Sequence, residues 1–91
     1  MTEAHHIQLQ NALGVLEVVY ETLDQAADDE REAVFNLPES MEFSERAEKM
    51  EEYVDALEEA ADAVQDAISS LQSAIIDVES VIRQEQFLST L

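Results

Sequence analysis

Twenty-two carboxylates, two adjacent histidines and no cysteine are the chemically capable side chains of this 91-residue chain. Paired carboxylates can divide general acid and base work only if one sits in a desolvated setting that raises its pKa. A solvated helix face supplies no such setting. His5 and His6 are neighbours, so on a helix they project about 100° apart. A helical metal pair wants His at i and i+4, or Glu-x-x-His, and neither occurs. Asp28-Asp29-Glu30 lacks both the alternating spacing and the turn glycine of a calcium loop. There is no Ser/His/acid set placed to converge and no glycine-rich phosphate loop. The sequence therefore points to no catalytic residue, no metal ligand and no cofactor, and the expectation is a protein that is not an enzyme.

The chemistry left is charge, and it must be carried by a fold. The net charge is −18, yet 46% of residues are hydrophobic. Disordered chains pair high charge with few apolar residues, so disorder is excluded. The lack of Cys excludes a disulfide framework, and one Gly with one Pro cannot supply the turns of a β-rich fold. Four basic residues make no patch for phosphates, which argues against direct nucleic-acid binding. No stretch is apolar enough to cross a membrane, and an acidic chain is repelled by anionic lipid. Met1–Gln10 lacks the basic start of a signal peptide, so a cytoplasmic location is expected.

Apolar residues alternate at gaps of four and three through Phe43, Ala47, Met50, Val54, Leu57, Ala61, Val64, Ile68, Leu71, Ile75, Val78 and Ile82. Tyr53, Ala60, Ala67, Ala74 and Val81 form a flanking stripe. This pattern predicts one long helix over about 44–87, with Ser40 or Ser44 able to cap it. Leu9, Leu13, Leu16, Tyr20, Leu23, Ala27, Val34 and Leu37 follow the same gaps, flanked by Ala12, Val19, Ala26 and Ala33 and interrupted by Glu30. That predicts a first helix over about 3–36, in which Gly14 implies fraying or a close helix contact. Pro38 breaks the ladder, and Asn36 tolerates the left-handed conformation that ends helices. A turn over about 37–43 follows, with a possible extra turn at Glu39–Phe43.

The expected fold is all-α: a single antiparallel two-helix hairpin with coiled-coil heptads, dimerising into a four-helix bundle. Counted from the turn, the second helix outruns the first by about ten residues. That overhang would expose Val78, Val81, Ile82, Phe87, Leu88 and Leu91, and these mark the expected self-association surface.

The charge is unevenly placed. Residues 17–66 hold 18 of the 22 acidic residues against three basic ones, a net −15. The outward positions of the second helix turn from Glu and Asp to Ser and Gln after Asp66. From Glu39 to Asp66 the net −9 amounts to one charge per 4.7 Å or so of helix, against about 3.4 Å per phosphate of a DNA strand. Two readings stay open. The charge could serve only to keep a self-associating module soluble. Alternatively, the acidic rod could occupy a basic groove that normally holds nucleic acid. The contacts expected in that second case are Glu39, Glu42, Glu45, Glu48, Glu52, Asp55, Glu59 and Asp62. Phe35, Met41 and Phe43 are candidates for packing or for an apolar anchor. Glu30 could pair with Arg46 or Lys49 and set the register, or sit at a wet edge.

Phe35-Asn36-Leu37-Pro38-Glu39-Ser40-Met41, then Ser44-Glu45-Arg46-Ala47-Glu48 and the repeat from Glu51 to Leu71, resemble a group of small acidic proteins of phages, prophages and other bacterial mobile elements. The resemblance spans roughly residues 30–80, and its specific part is the turn with the Ser-Glu-Arg element. The group is mostly uncharacterised, so no site residue carries over. Membership implies a mobile-element origin, in which small acidic proteins often inhibit host defence enzymes such as CRISPR nucleases. The secreted Trp-x-Gly hairpin family is of similar size, but its turn motif is absent. The resulting expectation is an inhibitor in the cytoplasm of a bacterial host, mimicking nucleic acid on a basic partner protein.

Overall fold

Helix α1, Glu3–Phe35, and helix α2, Glu45–Ser89, pack antiparallel along their lengths in a computed structural model that describes residues 3–41 and 44–89. The molecule is a rod 76 Å long and about 14 Å across. Phe43 and Leu91, assigned above to the apolar pattern, lie outside the described residues.

The two helix ends at the turn each have a local cause. The amide of Asn36 still donates to the Glu32 carbonyl at 3.0 Å, and the Leu37 amide then donates to Val34 at 3.1 Å, tightening the last turn. No described residue has a positive φ, so Asn36 does not take the expected left-handed conformation. Pro38, which has no amide hydrogen and restricts Leu37, ends the helix instead. A single 3-10 turn, Glu39–Met41, follows, closed by the Met41 amide donating to the Pro38 carbonyl at 2.8 Å. Of the two possible caps, Ser44 starts α2: its Oγ accepts from the Ala47 amide at 3.2 Å and donates to the Met41 carbonyl at 2.7 Å. Glu45 and Glu48 in that first turn complement the positive end of the helix dipole.

The residues that α2 buries include Ala47, Val54, Ala61, Ile68 and Ile75, each seven from the next. Met50, Leu57, Val64 and Leu71 beside them are half-buried, as are the Leu9, Leu13, Leu16 and Leu23 side chains of α1. Among the described residues no large side chain is fully enclosed. Two helices alone make a thin core.

The register corrects the expected overhang. His6 Nε2 lies 3.0 Å from Glu79 Oε1, and Glu3, His6 and Ile7 share a recess with Ile82 and Gln86. Val78 is accordingly only 6% exposed and Ile82 half-buried; both pack inside the hairpin. Val81, Phe87 and Leu88 are exposed. The extra length of α2 is taken up at the opposite end. There Val34 and Arg31 line one recess with Glu51, Val54 and Asp55, so the first turns of α2 run past the end of α1 beside the connecting segment.

Gly14 is exposed, and a Cβ built there meets nothing within 4 Å. It serves no close helix contact. Gly14→Ala should therefore stabilise the hairpin by about 1 kcal/mol, through the backbone entropy that glycine loses on folding. Chemical denaturation measures this, and a loss of stability would show that the open site is filled in the working assembly. No helix among the described residues is long and apolar enough to cross a membrane.

Candidate protein-binding face

The acidic residues of α2 fall in two rows set by its buried seam. Glu45, Glu52, Glu59 and Asp66 form one row at seven-residue spacing, and Glu48, Asp55 and Asp62 form the other. All seven are exposed, on the side turned away from the seam of Ala47, Val54 and Ala61. The rows interleave, so a carboxylate recurs about every 5 Å along the helix axis. Glu39 is exposed on the 3-10 turn that precedes α2. Glu42 lies outside the described residues.

These acids differ in whether a basic group already occupies them. Lys49 Nζ sits 3.2 Å from Glu45 Oε1, which partly neutralises the first member. Among the described residues, no ion pair reaches Glu48, Glu52, Asp55, Glu59 or Asp62. Their charge is open to a partner, and no group of three or more metal-ligating side chains is placed to hold a cation among the described residues.

The cross-hairpin ion pair falls one residue from its expected place. Glu30 is half-buried in the seam, and no pair among the described residues joins it to Arg46 or Lys49. Arg31 makes the bridge instead. Its Nε donates to Glu58 Oε1 at 2.8 Å, its Nη2 reaches the same oxygen, and its Nη1 pairs with Asp28 one turn earlier. The Glu58 hydrogen bond raises the guanidinium above its ordinary pKa; partial burial opposes this, and the charges of Glu58, Asp28 and Asp24 add to it. Arg31 thus stays charged and links α1 to α2 near the acidic end. The long fork of an arginine can cross the flank of two packed helices to reach a carboxylate on the other. Heptad spacing alone does not reveal this bridge. An opposite-charge pair at matching flank positions would have.

His6 meets Glu79 across the helices. Tyr20 is half-buried in the seam, whereas Tyr53 is exposed at its edge. Phe35 stands 88% exposed at the end of α1, amid the acids of the turn half, and Met41 is half-buried.

No family model, curated protein or solved structure matches this chain.

Proposed function

We propose that this chain is a non-enzymatic inhibitor that acts by binding another protein. The acidic turn half occupies a basic groove that otherwise holds nucleic acid, on a host defence nuclease of the CRISPR type. In this reading the chain comes from a phage or mobile element, works in the cytoplasm of a bacterial cell and is a homodimer built as a four-helix bundle of coiled-coil hairpins. The observation that carries it is the pair of carboxylate rows that no described basic group neutralises beyond Glu45 and that stop at Asp66 although α2 continues to Ser89. Solubility alone gives no reason for the stop, because the Ser and Gln that follow are equally solvated. A groove of limited length would.

Association of this kind is steered by charge and releases counterions. Binding to a CRISPR nuclease should weaken at least roughly tenfold between 50 and 200 mM salt, as phosphate-like contacts do. A variant with Glu48, Glu52, Asp55 and Glu59 all changed to Lys should lose binding and inhibition while keeping its helical circular dichroism. Inhibition that survives in this variant overturns the decoy reading. The second reading, a structural self-associating module with charge for solubility only, would then stand; the exposed apolar residues Val19, Tyr53 and Val81 favour it.

A further inference from the structure

The two long flanks of the hairpin differ in kind. The Arg31–Glu58 bond crosses one of them, and the His6–Glu79 contact lies on the same side. On this flank every seventh residue is polar, from Glu3 to Arg31 in α1 and from Glu51 to Gln86 in α2. The opposite flank carries every seventh residue from Ala12 to Ala33 and from Tyr53 to Leu88, all of them Ala, Val, Leu or Tyr. None of these is charged, in a chain of net −18, although the same rows begin one repeat earlier at His5 and Arg46. Val19 is 38% exposed, Tyr53 51% and Leu88 66%, with Ala67 and Ala74 also open to solvent.

We propose that a second copy of this chain docks on the apolar flank, with the two hairpins antiparallel. The proposal rests on the reading that the hairpin self-associates, and it names the surface and arrangement. Four observations select a second copy as the occupant. The flank repeats small side chains at seven-residue spacing on both helices, so a matching partner needs helices of the same repeat, and this chain presents them. A twofold axis lays the same patch on itself, as an isologous dimer requires. A strip about 53 Å long and about 10 Å wide buries roughly 530 Å² per copy, or roughly 1,060 Å² in all, just above the roughly 1,000 Å² that a biological interface should clear. The seam leucines of α1 are only half-buried, and a second hairpin over the adjoining flank would finish that core.

Charge sets the direction. Residues 17–66 hold −15 of the −18, and a parallel pair would put two such halves side by side. The antiparallel pair sets them at opposite ends of a rod 76 Å long, several Debye lengths apart at physiological salt. The carboxylate rows of both copies stay on the outside.

Sedimentation equilibrium at micromolar concentration tests the surface. The unaltered chain should be a dimer. Ala67→Glu with Ala74→Glu should give a monomer of unchanged helicity, since both sites are exposed in the hairpin. Gln65→Glu with Gln72→Glu adds the same charge to the polar flank and should remain a dimer. On mild oxidation, Ala67→Cys together with Ala74→Cys, the two positions nearest the centre of the apolar row, should link two copies, whereas Leu88→Cys near its end should not. A dimer that survives the Ala67 and Ala74 changes, or is lost only with the Gln65 and Gln72 changes, overturns this surface while leaving self-association intact. A link through Leu88→Cys overturns the antiparallel arrangement. A monomer for the unaltered chain overturns both the inference and the self-association beneath it, and leaves the acidic-face reading to the lysine variant.

Discussion

Ile68→Asp is expected to abolish the cooperative unfolding of the hairpin at room temperature. Ile68 is 6% exposed in the middle of α2, where the seam faces α1. Deleting a buried isoleucine side chain costs about 2–5 kcal/mol. A carboxylate in its place is also desolvated. Together these reach roughly 4 kcal/mol or more, comparable with the whole stability of a small domain. Ser69→Asp is the matched control: it adds the same charge one residue along at an exposed site and should change stability by less than about 0.5 kcal/mol. Thermal melts followed by circular dichroism separate the two. Equal melting temperatures for the pair would show that the seam at Ile68 is not what joins the helices.

The second large effect runs the other way. Changing Glu48, Glu52 and Glu59 to Gln, and Asp55 and Asp62 to Asn, should raise the melting temperature. Glu48/Glu52, Asp55/Glu59, Glu58/Asp62 and Asp62/Asp66 are like-charged pairs four residues apart, each costing a few tenths of a kcal/mol. Removing them, with their neighbours three residues apart, should yield about 1–2 kcal/mol, and the loss of Glu48 from the first turn takes back part of that. For a chain this size the gain corresponds to about 5–10 °C. Gln and Asn match Glu and Asp closely in helix propensity, so charge is the variable. The gap between variants should close near 1 M salt, where the Debye length falls to about 3 Å. A neutral variant that melts lower at low salt would show that the carboxylates support the fold. One that melts higher but no longer binds would show that their cost is tolerated for a partner.

The helices, the break at Pro38 and the buried seam were legible because a heptad pattern records which side of a helix avoids water. Ile68 and Ile75 announce themselves in that way. The level at which two helices meet is a different kind of fact. Counting residues outward from the turn treats both helices as starting side by side, and so places Val78 in solvent. The connecting segment instead lets α2 start well beyond Phe35, and the His6–Glu79 contact brings the start of α1 to the far end of α2. That offset depends on turn geometry, which periodicity does not encode. The same limit hid the bridge at Arg31: spacing singled out Glu30 as the break in the stripe, but reach across a flank depends on side-chain length. The acidic face was legible because exposed positions follow directly once the seam is known, and Glu48, Glu52, Asp55, Glu59 and Asp62 lie where the pattern put them. The contrast between the flanks was present in the repeat, yet it acquires meaning only when both helices are set in register.

The uneven charge also governs how the molecule turns as it moves. With −15 carried by residues 17–66 and −3 by the rest, the centre of charge sits well away from the centre of mass. A single hairpin drifting into a positive field therefore feels a torque and swings round to arrive turn first, as a weathervane heads into wind. Two hairpins laid head to tail cancel that torque. Such a pair has two equivalent leading ends and can be captured by whichever arrives first.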